Sequence, residues 1–538
     1  MDLTITIGLA AVAVTFLILF YRDRKWKVGL FKRMGIPGPE PHWLYGNLLD
    51  FSKTDKLARD VVIDWTKKYG KLYGYYEGPR PILVTSDPEF VKEVFIKHFS
   101  NFYGRRLLAF QAPSEMKTGS IVIAGGSRWK RLRAIINPTF SALKLKSMLP
   151  MMKEKVKLLE ENLLEASKNM KESVNVRPCF ERLTLSVIGD AAFGMNVDPQ
   201  HNPDDPYLKH CRSMFANLNP NMKPLPLKAA EIFPELRGLV WLLLQFFIKR
   251  SPFRASQEWI YSHMTKVVEE RRAKQIRRPD LLQLMLDSEA NESINDDDFI
   301  MTTDYEEKLS PEKSDTTNNK TRGKLVKRLT EQEIKSQSFI FLIAGFETTA
   351  TTLGYATYLL AMNPDKQTKL IDEIDATHPP GTEVTYDSIK NMSYMNMVVC
   401  ETLRLYPVAA RAVNRQCFSP CKINDLDIPE GMAVHVDVWS IHYDKKLWGE
   451  DADKFVPERF SPEEAAERHP MAWLPFGAGP KNCVGQRFGQ MEIKTALTHI
   501  LQKYTFDKCD ETEENLTLCD RIVIVPLHGI TIKLVPRG

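Results

Sequence analysis

The longest uninterrupted apolar stretch lies near the beginning of the chain. Residues 5–21 carry no charged side chain, and a stretch of this length is at the lower end of what spans a bilayer as a helix. Four basic residues follow between positions 22 and 27, and basic flanks are kept on the cytosolic side. We therefore predict a transmembrane signal anchor over residues 3–21, with the remaining chain in the cytosol. A cleaved signal peptide is the alternative, but the basic start typical of such peptides is missing.

Further along, proline-rich and polar stretches predict segments outside the core. Residues 35–41 contain three prolines in five positions, which makes a stiff, extended strap. With the basic residues before it, this strap forms a predicted linker over 22–41. Residues 291–328 are rich in charged and small polar side chains, and such a composition predicts a mobile surface insertion. The apolar residues 239–248 are too few to span a membrane, so they form either a core helix or a surface that dips into lipid.

The best helical pattern in the body of the chain covers residues 334–362. Thr330 and Glu333 have the spacing of a capping pair at its start. Residues 339–344 are apolar on every side, which predicts that this helix crosses the protein centre. Short β-type stretches predict strands at 72–76, at 81–84 and, as a pair with a turn at 528–529, within 522–532.

Charge and cysteine content exclude several classes of function. A net charge of +5 on 538 residues gives no support for nucleic-acid binding. The eight cysteines lack paired spacing, which favours a reducing compartment over a disulfide framework. Cys417 and Cys421 lie four residues apart but lack a second ligand pair, which disfavours a zinc site.

One cysteine, Cys483, lies among glycines in the run 475–485. Glycine lets a backbone approach a bulky ligand closely, and a thiolate can bind a metal when its pKa is lowered. A single cysteine is too little for structural zinc but is sufficient for haem, because the porphyrin supplies four further ligands. The alternative is a buried free cysteine beside a turn.

The central helical pattern is interrupted by Ala344, Gly345, Glu347 and Thr348. Glycine inside a helix costs about 1 kcal/mol relative to alanine, so its presence needs a reason. The two small residues allow a flat ligand to approach, and a threonine hydroxyl that bonds to the carbonyl four residues back can bend a helix. The alternative is a helix cap or an internal polar bond without catalytic meaning.

The cysteine run resembles the haem-binding loop of the cytochrome P450 family, which reads Phe-x-x-Gly-x-Arg-x-Cys-x-Gly. Phe476, Gly479, Cys483 and Gly485 match this pattern, whereas Lys481 stands where arginine is usual. Lysine keeps the charge but loses the two-pronged donor geometry, and it can still pair with a haem propionate. The residues in and around these motifs look most similar to those of the animal microsomal group that includes drug-metabolising and thromboxane-synthase enzymes.

The resemblance covers almost the whole chain from residue 35. It implies a mainly α fold with small β-sheets, the cytochrome P450 fold, forming one haem-binding monooxygenase domain over 42–538. It further implies haem b with Cys483 as the axial iron ligand. Glu347 would relay protons and Thr348 would hold the oxygen species and its water, since a buried carboxylate with a raised pKa suits a relay.

Further cofactor contacts follow from the same resemblance. Trp129 and Arg133 match a Trp-x-x-x-Arg motif that meets a haem propionate, and Arg105 and Arg415 are weaker candidates for the same contact. The full set of expected cofactor-binding residues is Trp129, Arg133, Arg105, Arg415, Ala344, Gly345, Phe476, Gly477, Gly479, Lys481 and Gly485.

A buried structural network is also implied beneath the haem loop. It consists of Glu401, Arg404 and Arg459. The bases Arg128, Lys130, Arg131, Lys144 and Lys146 form either a positive face for an acidic reductase or an ordinary solvated face.

These features predict a haem-thiolate monooxygenase in the endoplasmic reticulum membrane. Its electrons would come from NADPH through cytochrome P450 reductase, with a role for cytochrome b5 left open. The substrate would be an apolar small molecule of the xenobiotic, steroid or fatty-acid class, bound near Ala344 and Val408. The alternatives are a haem-thiolate isomerase or dehydratase acting on a peroxide, and a non-catalytic haem-binding protein.

Overall fold

A long central helix, Glu331–Met362, runs through the main hydrophobic core. The computed structural model describes residues 3–52, 56–106, 119–195, 197–216, 225–236, 251–289, 328–379 and 381–537. Within them, the central helix packs most extensively against the helix Arg177–Phe193. The predicted central helix is confirmed, and it begins three residues earlier than the pattern indicated.

Helices form most of the described chain, which confirms the mainly α fold. In chain order they are α1 (Leu3–Val28), α2 (Leu30–Arg33), α3 (Ala58–Tyr69), α4 (Pro88–Lys92), α5 (Gly126–Ile136), α6 (Ala142–Ala166), α7 (Arg177–Phe193), α8 (Pro206–Ala216), α9 (Leu225–Ile232), α10 (Pro252–Ala273), α11 (Leu281–Asp287), α12 (Glu331–Met362), α13 (Pro364–Thr377), α14 (Tyr386–Asn391), α15 (Ser393–Leu405), α16 (Val438–His442), α17 (Lys445–Trp448), α18 (Pro462–Glu467) and α19 (Gln486–Leu501).

The strands form small sheets. They are β1 (Leu72–Glu77), β2 (Arg80–Thr85), β3 (Val174–Asn175), β4 (Asn414–Gln416), β5 (Cys421–Ile423), β6 (Leu426–Ile428), β7 (Ala433–Val436), β8 (Tyr504–Asp507), β9 (Leu518–Asp520), β10 (Ile524–Pro526) and β11 (Thr531–Pro536). One four-stranded sheet has the order β1-β2-β7-β4, in which β2 and β7 are parallel and the other pairs are antiparallel.

The C-terminal strands differ in pairing from a hairpin. Both strands predicted within 522–532 are present, but β10 pairs with β9, whereas β11 pairs with β3 and β8. The turn at 528–529 therefore joins two different sheets. Tertiary packing decides these partners, and the local sequence carries no signal for it.

The N-terminal helix α1 is one of two described helices long and apolar enough to span a membrane. The other, α12, is mostly buried and serves as the core helix. Helix α1 continues beyond the predicted anchor to Val28, so the first part of the predicted linker is helical. Arg24 there is fully buried, and its Nη2 lies 2.5 Å from a carboxylate oxygen of Glu235. Glu235 is half exposed, so this ion pair connects the buried end of the basic stretch to the surface of the domain.

Two predicted basic residues of the docking face are buried instead. Glu333 caps α12 together with Thr330, as predicted. Its carboxylate also lies 2.8 Å from Arg128 Nε and 2.8 Å from Arg131 Nη2. Arg128 and Arg131 are thereby removed from the surface, and they tie α5 to the start of α12.

Two predicted segments lie outside the described residues. They are the insertion over 291–328, apart from Arg328, and the apolar stretch 239–248.

We predict that Glu333→Gln lowers the free energy of unfolding by about 3–5 kcal/mol, because it removes the carboxylate charge facing two buried guanidinium groups. Glu331→Gln on the same helix is the matched control. Its side chain is 52% exposed and pairs with Lys335, so the expected loss is below about 0.5 kcal/mol. Urea denaturation followed by circular dichroism compares the two variants. Equal losses would contradict the structural role of Glu333.

Candidate active site

The cysteine loop over 475–485 is fixed by its own backbone before α19 begins. The amide of Cys483 donates to the carbonyl of Phe476 over 2.9 Å, and the amide of Asn482 donates to Gly479 over 3.1 Å. Gly485 is the N-cap of α19. Cys483 is therefore presented just before the first turn of a long buried helix.

Gly479 is required by both conformation and space. Its φ is +67°, a region that favours glycine. A Cβ atom there would lie 2.1 Å from the carbonyl oxygen of Phe95. Gly477 has a similar φ of +69°, but a Cβ atom added there would meet no described atom within 4 Å. The loop thus approaches residue 95 as closely as backbone atoms allow.

The thiol of Cys483 is exposed although protein surrounds it. Burial raises its pKa, while the amides of Gly485 and Gln486 and the charges of Arg133 and Arg105 act in the opposite direction. A side chain that is surrounded by protein and yet accessible must face an internal space. This thiol can therefore meet a ligand held inside the fold.

One face of the central helix α12 is not fully covered by protein. Ala344 is exposed and Thr348 is half-buried, whereas Ile343, Phe346 and Glu347 are buried. The exposed positions are one helical turn apart, on one face of α12. That face can contact a ligand, as predicted from the small residues.

Gly345 has a second and different neighbour. A Cβ atom on it would lie 2.8 Å from a side-chain carbon of Ile188 in α7. Absence of a side chain at this position therefore lets α7 approach α12 closely. Its contact with a cofactor stays a prediction.

Three of the predicted cofactor-binding cations have only main-chain acceptors among the described residues. Arg105 donates to the carbonyls of Ala412, Val122 and Lys481, and Arg415 donates to those of Asn414 and Ala478. Lys481 Nζ donates to the carbonyl of Ala124 over 2.5 Å and to that of Tyr103 over 3.3 Å. In addition, Arg415 Nε is buried without a hydrogen-bond partner.

These cations lower one another's pKa. Burial lowers the pKa of Arg105 to about 10, with a further contribution from Arg133. Burial also lowers the pKa of Lys481 well below its usual value, and the charges of Arg105, Arg415 and Arg133 add to this. Buried positive charge of this density is unfavourable without an anion. The cluster therefore fits a ligand with negative groups.

Arg133 and Trp129 complete this side of the site. Arg133 donates over 2.8 Å to both the main-chain and the side-chain oxygen of Asn482, the residue before Cys483. Trp129 is buried, and Lys481 Nζ lies 5.3 Å from the centre of its ring. The Trp-x-x-x-Arg helix, α5, thus contacts the cysteine loop directly.

These residues fit haem, which carries two propionates and needs a fifth iron ligand. The thiol of Cys483 is accessible, Arg415 Nε in the cation cluster has no hydrogen-bond partner among the described residues, and the uncovered face of α12 bears the small side chain of Ala344. Each of these three features matches one part of the group: the iron, the propionates and the flat ring.

The hydroxyls around the α12 motif bond to helix carbonyls. Thr348 Oγ1 donates to the carbonyl of Ala344 over 2.7 Å, and Thr352 Oγ1 donates to that of Thr348 over 2.8 Å. Thr184 of α7 donates to the carbonyl of Phe346 over 2.9 Å. Thr348 can exchange its helix carbonyl for a ligand or water without leaving a buried donor unpaired, because its side chain borders the internal space.

Glu347 is buried and paired with Arg177, which the sequence motifs did not reveal. Arg177 Nη2 lies 2.6 Å from Glu347 Oε1, and Arg177 Nε lies 3.0 Å from Glu181 Oε1. Burial raises the pKa of Glu347 to about 7; Arg177 opposes this shift and Glu181 adds to it. The carboxyl group therefore keeps its proton to a higher pH than an exposed glutamate does.

The predicted structural network is brought together at one place. Arg404 Nε lies 2.6 Å from Glu401 Oε2, and Arg459 Nε lies 3.6 Å from Glu401 Oε1. Glu401 and Arg404 are fully buried. Arg404 also donates to the carbonyls of His442 and Ala452 over 2.7 and 2.6 Å.

His442 connects this network to the cysteine loop. Its Nε2 accepts a hydrogen bond from the amide of Leu474 over 2.9 Å, so its Nδ1 carries the proton and donates to the carbonyl of Arg404. Burial lowers the pKa of His442 to about 3; the hydrogen bond to the Arg404 carbonyl opposes this shift and the Arg404 charge adds to it, so the ring stays neutral. The residue directly before the loop is thereby fixed to the Glu401–Arg404 pair.

We predict that Gly479→Ala loses most of its bound haem, because the new methyl group meets a rigid backbone carbonyl. Gly431→Ala is the matched control: its φ is +84° and an added Cβ atom meets no described atom within 4 Å, so it has backbone strain of about 1–2 kcal/mol without the collision. The haem-to-protein ratio of each purified variant, measured as the pyridine haemochrome, tests this difference. Equal haem retention would contradict the close approach at Gly479.

The chain is similar to known proteins over almost its whole length. A family model described as Cytochrome P450 matches residues 36–534. The chain is 38% identical over 520 residues to a Caenorhabditis elegans cytochrome P450 designated CYP13A4, covering 95% of this chain and 96% of that protein. It is 35% identical over 529 residues to cytochrome P450 3A28 of Bos taurus, covering 97% and 95%. It is also 35% identical over 527 residues to cytochrome P450 3A13 of Mus musculus, with the same coverage. The chain therefore belongs to the cytochrome P450 family of haem-dependent monooxygenases.

Proposed function

We propose that this protein is a membrane-anchored monooxygenase that inserts one oxygen atom of O2 into an apolar small molecule. Its electrons come from NADPH through a separate reductase. The observation that carries the proposal is the combination of an accessible Cys483 with the Glu347–Thr348 pair on a helix whose exposed face bears Ala344. The substrate belongs to the xenobiotic, steroid or fatty-acid class.

The chain's own residues would hold haem b in three ways. Cys483 would bind the iron, and Arg105, Arg133, Arg415 and Lys481, with Trp129, would hold the propionates. The loop residues Phe476, Gly477, Gly479 and Gly485, and Ala344 and Gly345 of α12, would contact the rest of the group. Bound haem supplies the iron centre at which dioxygen is reduced, and thiolate ligation favours O–O cleavage.

Reduction of dioxygen consumes protons. Glu347 relays these protons, and Thr348 positions the water that carries them. The hydroxyl of Thr348 borders the internal space and can orient a water molecule there. Glu347 is buried and its pKa is raised to about 7, which suits a group that both takes up and releases protons. Arg177 acts as a positioning residue, because its ion pair holds the carboxyl group of Glu347 and opposes the rise of its pKa.

A reductase needs access to the cysteine side of the protein. With Arg128 and Arg131 buried, the basic residues left from the predicted face are Lys130, Lys144 and Lys146. Lys146 already pairs with Asp387 over 2.6 Å. We infer that Lys130 and Lys144 attract the acidic reductase, and cytochrome b5 is a second candidate partner for the same charges.

The membrane location rests on α1. Its apolar part and the basic residues after it support a single-pass anchor in the endoplasmic reticulum membrane with the catalytic domain in the cytosol. The ion pair of Arg24 with Glu235 would hold the domain close to the membrane surface.

We predict that Thr348→Ala separates NADPH consumption from product formation. Without the hydroxyl, protons reach the reduced oxygen in the wrong order, and hydrogen peroxide is released in place of product. Thr352→Ala is the matched control, since its hydroxyl makes the same bond one turn further along a buried part of the helix. NADPH, peroxide and product are measured together with reductase and a panel of apolar substrates.

The peroxide-to-product ratio is expected to rise at least tenfold in Thr348→Ala and to stay unchanged in Thr352→Ala. Unchanged coupling in both variants would remove the proposed role of Thr348. Tight haem binding without any NADPH consumption would favour a non-catalytic protein, and product formed from a peroxide without NADPH would favour an isomerase or dehydratase.

We predict that Arg177→Gln moves the alkaline limb of the pH–rate profile to higher pH. Arg177 lowers the pKa of Glu347, so its removal raises that pKa further above about 7 and keeps the carboxyl group protonated longer as pH rises. Arg182→Gln on the same helix is the control, because Arg182 bonds to Pro178 and Asn162 instead. Superimposable profiles of Arg177→Gln and wild type would exclude this coupling.

A further inference from the structure

A second cavity, separate from the cysteine site, lies beside the four-stranded sheet. Its volume is about 160 Å³, and its walls come from residues 45–52, α3, β1, β7 and the end of α9. Cys483, Ala344 and Thr348 are absent from its lining. This cavity is therefore distinct from the immediate surroundings of these three residues.

The cavity lies near the cytosolic end of the anchor helix. Tyr21 of α1 contacts the ring of Trp43 at 5.1 Å between ring centres, and Phe20 stacks on Phe233 at 6.3 Å. Trp43 and Phe233 adjoin the two segments that line the cavity on this side. The lining residue Leu49 is 39% exposed. A molecule leaving the lipid phase near α1 thus meets an apolar rim.

The charged groups in the cavity wall are already engaged within the protein. The pairs are Glu77 with Arg106, Asp437 with Thr66 over 2.6 Å, and Arg411 with Asp520 over 3.5 Å. Arg59 lies 4.4 Å above the ring of Trp439. Much of the remaining wall is apolar and includes Leu48, Phe51, Val62 and Ile232. Groups of both signs are present in this wall and those named here already have partners within the protein, so the wall favours an uncharged ligand over an ion of either sign.

Two ring side chains in the wall, those of His435 and Trp439, lack a hydrogen-bond partner among the described residues. The imidazole of His435 forms no hydrogen bond within the described chain, and it is half-buried although the sheet and its flanking segments enclose it. Its remaining open surface borders the cavity. Here a bound molecule could supply the missing hydrogen bond.

The protonation state of His435 determines which groups of a bound molecule can form a hydrogen bond with it. Burial lowers its pKa to about 3, and the nearby charges of Arg106 and Arg411 add to this, with Glu77 opposing. The ring is therefore neutral at physiological pH, with one N–H donor and one nitrogen acceptor. A hydroxyl group can satisfy either nitrogen, and a carbonyl group can accept from the donor.

We propose that this cavity is a second ligand site for an uncharged, mainly apolar molecule that arrives from the membrane and hydrogen-bonds to His435 through a hydroxyl or carbonyl group. A cavity of about 150 Å³ accommodates benzene, so the buried part of the ligand is the size of one six-membered ring. Any longer apolar part extends through the rim toward Leu49.

The test uses the full-length, haem-loaded protein in phospholipid vesicles and 4-hydroxybenzophenone as a photoactivated probe. Adducts located by peptide mass spectrometry are expected on residues 45–62 and 435–439. His435→Leu keeps the volume but removes the hydrogen bond, so half-maximal labelling should need about three- to tenfold more probe. Ala58→Phe fills the cavity and should abolish this labelling, whereas His201→Leu, 62% exposed elsewhere, should leave it unchanged.

Competition with cyclohexanol and cyclohexane isolates the hydroxyl group. In the wild-type protein, cyclohexanol should protect the cavity peptides from labelling better than cyclohexane does. In His435→Leu, this difference between the two competitors should become smaller. The carbon monoxide difference spectrum verifies that each variant is folded. Labelling confined to other peptides, or cavity labelling that is equal in wild type and Ala58→Phe, would overturn the proposal, as would a cyclohexanol preference that persists without His435.

Discussion

The buried ion pair between Glu401 and Arg404 is the interaction on which the position of the cysteine loop depends. Arg404 uses its remaining donors on the carbonyls of His442 and Ala452, and His442 in turn holds the amide of Leu474, just before the loop. A guanidinium group without its carboxylate would be costly at this depth. The pair therefore fixes the chain segments around His442 and Ala452. Through Leu474, their position determines that of the loop that carries Cys483.

A second constraint is electrostatic. Arg105, Arg415 and Lys481 are brought together around the loop with main-chain carbonyls as their partners among the described residues. Carbonyl dipoles compensate buried charge only in part. Binding of an anionic ligand therefore stabilises the folded state. We therefore expect haem binding to stabilise this half of the protein.

The features that sequence reasoning identified are those with local signatures. The cysteine loop, the central helix with its Thr330–Glu333 cap and the strands β1 and β2 each follow from residues that are neighbours in the chain. Partners distant in sequence could not be predicted: Arg177 lies 170 positions from Glu347. Arg128 and Arg131 resemble surface bases because Glu333, which buries them, is equally remote. The packing of Ile188 against Gly345 is likewise invisible in the sequence, where the glycine indicates only room for a flat ligand.

Binding of haem iron by the Cys483 thiolate underlies every catalytic role proposed for this protein, and the carbon monoxide difference spectrum of the reduced protein tests it most directly. We predict a strongly red-shifted Soret band in the wild-type protein and its loss in Cys483→Ser. A band typical of histidine-ligated haem, or an unchanged band in Cys483→Ser, would contradict thiolate ligation, and the roles proposed for Glu347 and Thr348 would lose their basis.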